Sequence, residues 1–534
     1  MSIHVTMAET LLLPPEERGN CSISRWYKGK SVFITGATGF MGKVLIEKLL
    51  YQCPEIKEIY IFLRSKRGRS PEQRIADMFK LPMFQRLKKV DPDAIKKIKS
   101  IHGDIIQENL GLSTAEQSVL TENVSVIFHC AATLKLEAPL KDAIEMNTAG
   151  TEKILELAKK TKHLKALVHL STAFCSADLP EFREKVYPCP DNPKDVIQVV
   201  RWMRDDALVK ATPAIIHPHP NTYTYSKRLA ETLVASEYPN LPVVIVRPSI
   251  VTPAGVEPLP GWVDTLNGPM GLMVAAGKGV IRSMHVKGEN RAQVVPVDLA
   301  INGIISAAWK IGTIQTKPKE IPVYNMTQDA VKKVTWKEVL DTGRQVGHEY
   351  PFEMQIWYPD GDIRSSKLMH QICCIFLHWI PAYFIDFLLF VFRQKRFMVR
   401  LMHKINDGLE LLQFFTTREW IFDSTNFLAL AGERTPEDKK AFLIDFNIMT
   451  PEEYMKLSVL GTRQYCMKED LSTIPRCRRI QKVLYIIDRL FALFFYMGLI
   501  WLLCSFSDTA KSIFDSVGKY AKNVPVVGSL VPTS

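Results

Sequence analysis

The chain has 534 residues, 47% hydrophobic and 23% charged, which excludes a disordered protein and allows more than one core. Its ten cysteines contain no Cys-x-x-Cys pair, so they read as reduced thiols facing the cytosol, not as a disulfide framework or a zinc site. The formal net charge of +12 suits nucleic acid, an anionic membrane surface or a polyanionic substrate, and Met1–Asn20 lacks the basic start and apolar core of a cleavable signal peptide.

The first predicted element is a short strand, Val32–Ile34, ending in glycines at fixed spacing: Gly36, Gly39 and Gly42. A helical pattern follows at once over Gly42–Leu50. Strand, glycine turn and helix together form a site for a dinucleotide pyrophosphate, with helix N-terminal N–H groups meeting the negative charge. Gly36, Thr38, Gly39, Phe40, Met41 and Gly42 are therefore assigned to cofactor binding. The second strand, Glu58–Leu63, runs into Arg64, Lys66 and Arg67. An NAD enzyme would place an acidic residue near here for the ribose hydroxyl; a basic one pairs with a 2′-phosphate, so Arg64 and Lys66 argue for NADPH.

A third strand, Ile101–His102, leads to Gly103-Asp104-Ile105, where Asp104 and Ile105 are placed against the adenine, a plain turn aspartate being the simpler alternative. The fourth, Val124–His129, closes on the small residues Ala131 and Ala132, which let the backbone approach the cofactor, and His129 reads as a packed strand residue. Asn147, in the helical pattern Ala143–Ala158, is assigned to cofactor binding, bridging that helix to the site, a solvated helix asparagine being the equal alternative.

The strand Ala166–Leu170 ends in Ser171 and Thr172, and the helix Tyr223–Ser236 opens with Tyr223 and Lys227. Tyrosine and lysine at i and i+4 share one helix face. Reducing a carbonyl needs a proton donor as hydride arrives, and a phenol serves near neutral pH when a neighbouring cation lowers its pKa. Lys227 supplies that cation and a hold on the nicotinamide ribose. Thr172, with Ser171 second, supplies a hydrogen bond to the substrate carbonyl. The motif Tyr-x-x-x-Lys occurs once among 16 tyrosines. After the strand Val243–Arg247, the backbone of Pro248, Ser249 and Ile250 is placed beside the nicotinamide. No metal site is expected.

Strands alternating with helices over residues 31–300 predict an α/β fold, a Rossmann-like doubly wound parallel sheet, with Val323–Met326 as one further short strand. The predicted division is an N-terminal segment 1–28, a reductase domain 29–360, a helical domain 361–465, and a basic linker, transmembrane helix (about 484–506) and tail over 466–534. Leu490–Phe506 carries no charged residue and follows Arg476, Arg478, Arg479 and Lys482, which sets a single membrane anchor with the large N-terminal part in the cytosol. A second apolar stretch, 371–392, reads as an interfacial hairpin bent at Pro381 or a buried helical pair, a second crossing being the third reading.

Taken together, residues 29–43, Phe-Leu-Arg-Ser-Lys (62–66), His-Leu-Ser-Thr-Ala-Phe (169–174), Asn-Thr-Tyr-Thr-Tyr-Ser-Lys (221–227), Ile-Val-Arg-Pro-Ser-Ile (245–250) and Val-Pro-Val-Asp (295–298) resemble the extended short-chain dehydrogenases/reductases. More closely, they resemble the alcohol-forming fatty acyl-CoA reductases. The region around Trp420 and Asp445 resembles that family's helical C-terminal domain, and the apolar tail resembles its insect members. The resemblance implies a long-chain fatty acyl-CoA substrate and two successive NADPH hydride transfers, through an aldehyde to a primary alcohol. It also leads us to expect that part of the insertion 176–220, with the helical domain, walls an acyl channel. The rivals are a membrane-bound sterol dehydrogenase of the same superfamily and a catalytically silent NADPH-binding membrane scaffold. Nucleic acid is not an expected partner, and oligomeric state is left open. The expected location is a membrane with the catalytic domain in the cytosol, the endoplasmic reticulum first, peroxisome or lipid droplet as alternatives.

Overall fold

The computed structural model describes residues 14–64, 68–329, 331–506 and 516. Seven strands, β1 (Ser31–Thr35), β2 (Glu58–Leu63), β3 (Ile98–His102), β4 (Val124–His129), β5 (Ala166–Leu170), β6 (Val243–Pro248) and β7 (Val323–Met326), form one parallel sheet. Their order is β7-β6-β5-β4-β1-β2-β3, the doubly wound arrangement expected from the alternation of strands and helices. β7 completes the edge beside β6, with Val323 opposite Ile245.

The central strands are apolar on both faces because helices cover both, whereas the edge strand β3 exposes Lys99 and His102. The main covering helices are α1 (Phe40–Gln52), α2 (Pro71–Phe79), α3 (Gly150–Lys160), α4 (Thr222–Ser236) and α5 (Val297–Thr313). Val32, Ile34, Phe128, Val168 and Val246 pack with Leu45 of α1 and Ile304 of α5. The intervening Phe33, Ile127, Leu167 and Ile245 pack with Ile154 of α3 and Val234 of α4. This is the period-two alternation of a strand buried on both sides.

The helical pattern at 143–158 is longer than expected and not uniform. It begins at Leu140, widens into a π-turn over Ile144–Ala149 and continues as α3. A π-turn inserts one residue into the helical ladder and re-aims its side chains; here it turns Asn147 toward the catalytic helix.

The C-terminal half is woven into the reductase body by short parallel ladders. Glu181–Phe182 pairs with Ile421–Phe422, Ser283–His285 with Asp362–Arg364, and Ile250–Thr252 with Val294–Pro296. At the other end of the chain, Ile23 N–H donates to Asp438 at 2.9 Å.

Two helices, Lys367–Val391 and Leu471–Phe506, are long and apolar enough to cross a membrane, each containing an 18-residue stretch with a mean hydropathy of 1.9. The first corrects an expectation: it does not bend back at Pro381. A π-turn at Ile375–Trp379 precedes the proline and takes up its missing N–H, so the helix runs on to Val391. The reversal comes at 392–397, where Asp386 caps the next helix by accepting three backbone N–H bonds from Phe397, Met398 and Val399. The second apolar helix is continuous from Ile474, so the basic residues expected in a linker lie on the helix itself. Asp488, which interrupts the apolar run, is buried. It accepts from Trp357 Nε1 at 2.5 Å and Arg282 at 3.2 Å, tying the helix to the reductase body.

Candidate active site

All seven strands point their carboxyl ends to one edge of the sheet, and the sequence-predicted residues gather there. The turn after β1 is as tight as its glycines require. Gly36 has φ +72°, and a Cβ on it would lie 2.8 Å from the Cys130 carbonyl. A Cβ on Gly42 would collide with the Gly36 carbonyl. The chain leaving β4 therefore packs directly against the turn, pinned where Cys130 and Ala131 N–H both donate to Thr35 Oγ1 at 3.1 Å. The helix N-terminus at Phe40 and Met41 opens beyond, with Gly39 as its cap.

Arg64 is exposed at the end of β2, and its carbonyl accepts from Arg74 Nη1 at 2.7 Å. Arg74, on α2, also donates to Thr38 Oγ1 at 3.2 Å. Burial and the neighbouring Arg64 both draw its pKa down. Neither guanidinium has a carboxylate partner among the described residues. Two unpaired cations beside a glycine turn fit an anion. Arg74 was missed in the sequence because it lies a whole loop beyond the basic cluster. Lys66 and Arg67 fall outside the described residues.

On the adenine side, Asp104 Oδ1 accepts from Ile106 N–H at 3.2 Å, so one carboxylate oxygen serves the turn. Ile105 is buried against Gly150, and its carbonyl accepts from Lys153. Asn147 is fully engaged with the protein: Oδ1 accepts from Thr133 N–H at 2.9 Å, and Nδ2 donates to Ser226 Oγ at 2.9 Å. It braces the π-turn against α4.

Asn221 caps α4 by accepting from Thr224 N–H at 2.9 Å, which sets Tyr223 in the first turn. The Thr172 hydroxyl lies close enough to the Tyr223 phenol to draw its pKa down; from the sequence Thr172, ahead of Ser171, is assigned the hydrogen bond to the substrate carbonyl. Thr172 is held in place because Ser171 N–H donates to Val246 and Ala173 N–H to Pro248, keeping the chain on β6 past the end of β5. Lys227 Nζ donates to the Leu170 carbonyl at 2.7 Å. Burial pushes its pKa down to about 8. Burial also pushes the Tyr223 phenol up, the nearby Thr172 hydroxyl opposing it. Here the structure departs from expectation: Lys227 shares a helix face with Tyr223, but its stem carries the ammonium down to β5, and burial dominates the phenol. The phenol therefore stays protonated, ready to donate. Behind Lys227, His129 bridges Thr35 and Thr151 at 2.8 and 3.0 Å, and burial holds it neutral with a pKa of about 3.

Beyond β6, Ser249 N–H donates to Met326 and Ile250 N–H to Gln293. The Ser171 and Ser249 hydroxyls are buried without a partner among the described residues. The Arg247 side chain turns away and forks onto Glu231 of α4 at 2.8 and 2.5 Å. That pair, which holds β6 to the catalytic helix, was not legible in the sequence.

A cleft with a glycine cradle, a protonated phenol near a threonine hydroxyl and a buried cation can bind a dinucleotide and reduce a carbonyl. Comparison with known proteins agrees. An NAD-binding family model described as male sterility protein matches residues 34–304, and a second model of that description, Sterile, matches 377–469. Fatty acyl-CoA reductase 1 of Xenopus laevis is 37% identical over 458 residues, 86% of this chain and 88% of that protein. Fatty acyl-CoA reductase 2 of Mus musculus is 36% identical over 501 residues, covering 92% and 95%. Among solved structures, the terminal R domain of the myxalamid biosynthetic pathway aligns over 88% of this chain and all of that one, with a TM-score of 0.54 and 18% identity, a likeness of fold.

Proposed function

The chain belongs to the fatty acyl-CoA reductase family, and from that premise we propose that it reduces long-chain fatty acyl-CoA to primary alcohol and CoA at the edge occupied by Thr172, Tyr223 and Lys227. The observation that carries this reading is the placing of Thr172, at the end of β5, and of Tyr223 and Lys227, on the helix whose lysine donates to the Leu170 carbonyl, at the carboxyl edge of the sheet that also holds the glycine turn.

The dinucleotide, when bound, supplies the hydride. Tyr223 gives its proton to the thioester oxygen as the carbon is reduced, and Thr172 donates a hydrogen bond to that oxygen. The resulting hemithioacetal loses its hydroxyl proton, the C–S bond breaks, and the sulfur leaves with the proton as CoA thiol. Once Tyr223 has taken back a proton from solvent and the site has exchanged its spent dinucleotide for a second reduced one, the aldehyde in the same place receives a second hydride and a second proton, giving the alcohol. Both steps develop negative charge on one oxygen, which is why one phenol and one hydroxyl serve twice. Lys227 holds the nicotinamide ribose. Ser171 and the Pro248–Ile250 backbone border the nicotinamide, with Asp104, Ile105, Ala131 and Ala132 along the rest of the cofactor. Asn147 positions α4.

Arg64 and Arg74 take the 2′-phosphate, which favours NADPH over NADH. The apolar C-terminal helix anchors the protein, with its basic first turns on the cytosolic side together with the catalytic body, at the endoplasmic reticulum first. Protease added to sealed microsomes should then remove the catalytic body, and protection would overturn the orientation.

The test of function uses protein in membranes with NADPH and acyl-CoAs of several lengths, reading alcohol by mass spectrometry. Tyr223→Phe should abolish alcohol while dinucleotide binding persists. Product formation by that variant at the wild-type rate would overturn the mechanism.

A further inference from the structure

Next to the catalytic edge lies a cavity of about 400 Å³, within the ~300–1,000 Å³ of ordinary small-molecule sites. Its walls are the turn Thr252–Val256, the start of α5, helix Trp336–Glu349 and residues 445–458. It adjoins both halves of the site. Met41, in the first turn of α1, packs with Val251, Leu299, Phe446 and Ile448, and Val251 is next in the chain to Ile250.

The lining is mostly apolar, through side chains such as Met270, Leu299, Val339, Ile448 and Met455. Apart from Lys332 and Lys333, whose ammonium groups have no ion pair among the described residues, most of the polar groups in the wall are already satisfied. Tyr454 Oη donates to the Pro253 carbonyl at 2.7 Å and lies 2.6 Å from Thr252 Oγ1, which donates to Val295. Asp298 accepts backbone N–H bonds from Gly255, Val256 and Glu257 at 2.9, 2.8 and 3.2 Å. A wall that is mostly apolar, with most of its donors and acceptors spent, favours an apolar guest, since a polar guest would lose hydrogen bonds along most of it. The charged groups among the lining residues are Asp298, Lys332, Lys333, Glu338 and Asp445; Glu338 is tied to Thr335 N–H and Asp445 to Asn447 N–H.

Resting on the function above, we propose that this cavity seats the hydrocarbon chain of the acyl-CoA, and then of the aldehyde, so that its depth sets the chain length the enzyme accepts. This moves the acyl wall away from the insertion 176–220, which contributes no residue to the cavity, and onto residues 252–298, 328–342 and 445–458.

The test compares Val339→Phe, which narrows the cavity, with Ile448→Ala, which widens it. Each is assayed across a series of acyl-CoAs and of free fatty aldehydes. Val339→Phe should lower kcat/KM for the longest substrates roughly tenfold or more relative to the shortest. The cut should fall at the same length for thioester and aldehyde, because both carry the same chain. Ile448→Ala should move the optimum to longer chains, and carries the test if the narrowed variant does not fold. An unchanged length profile overturns the proposal. So does a length-independent loss confined to acyl-CoAs with aldehydes spared, which would give the cavity to the CoA arm. Calorimetric binding of the same acyl-CoAs separates the two readings. Wild-type protein that binds by chain length, with Val339→Phe trimming the longest, but makes no alcohol keeps the cavity and retires the function.

Discussion

Two buried polar regions of this molecule are built in opposite ways. Behind α1, Lys48 pairs with Glu257 and donates to the Ala441 carbonyl at 2.6 Å. Arg86 forks onto Glu47 at 2.8 Å and reaches Glu257 at 3.0 Å. Asn302 donates to Glu257 and to the Leu443 carbonyl. Burial alone would raise the Glu257 carboxyl, yet Lys48 and Arg86 hold it down to about 2. At the catalytic edge, by contrast, Lys227 has one carbonyl, and the nearby Glu231 is taken by Arg247. Ser171, Ser249 and both ring nitrogens of His169 have no partner among the described residues. Native proteins seldom leave such atoms orphaned. Where charge fastens the reductase body to the C-terminal segment, each charged group is paired, although Asn302 Oδ1 is left without a partner among the described residues. Where a ligand completes the site, the chain leaves it open.

The sharpest way to break this contrast is to exchange the consequences of mutation. Tyr223→Phe should cost about 10²–10⁴ in rate while the melting midpoint moves little, since the phenol fastens nothing beyond Thr172. Lys48→Met should do the reverse. Removing one member of a buried charge network costs about 3–5 kcal/mol, read by thermal or denaturant unfolding in detergent, with the turnover of the folded fraction nearly unchanged. A Lys48→Met protein of full stability and no activity would erase the distinction.

The sequence disclosed the catalytic edge far better than the fastening network, for a physical reason. Gly36, Gly42, Tyr223 and Lys227 act at fixed local spacings, so a single turn of helix or loop carries their signal. Lys48, Arg86, Glu257 and Asn302 are drawn from distant parts of the chain, and nothing local marks them as partners. The same holds for Arg74, which meets Thr38 only because α2 folds back over the glycine turn. The reversal at 392–397 was misplaced at Pro381 because a proline in an apolar run signals a break, whereas a π-turn before it absorbs the defect. The strands were legible because a sheet covered on both faces writes continuous apolar runs.

Arg74 offers a smaller and more selective effect. A charge-assisted hydrogen bond is worth about 1.5–3 kcal/mol, so Arg74→Ala should weaken NADPH about ten- to a hundredfold and NADH little. Calorimetry with 2′,5′-ADP against 5′-AMP reads the same difference without turnover. Arg64→Asp should show the same preference. Equal losses for both dinucleotides would mean that Arg74 only braces Thr38 and belongs with the fastening residues.

The gentlest test uses protons. Lys227 is the cation that the catalytic edge leaves under-partnered, and burial has lowered its pKa from 10.5 to about 8. Raising the pH through 8 therefore removes its charge in the folded protein, and kcat/KM should fall along a limb centred there. Lys227→Arg keeps its charge far above that pH, so its limb should move upward even though its maximal rate is lower. Stability should move the other way. Between pH 8 and 10.5 the unfolded chain holds this proton and the folded chain does not, so wild-type stability rises with pH relative to Lys227→Met. Within the paired network Glu257, held near 2, is fully ionised throughout that range, and the contribution of Lys48, which burial also lowers from 10.5, is common to both proteins and cancels in the comparison. A limb that stays at pH 8 in Lys227→Arg would assign it to another group and leave the ammonium a structural part.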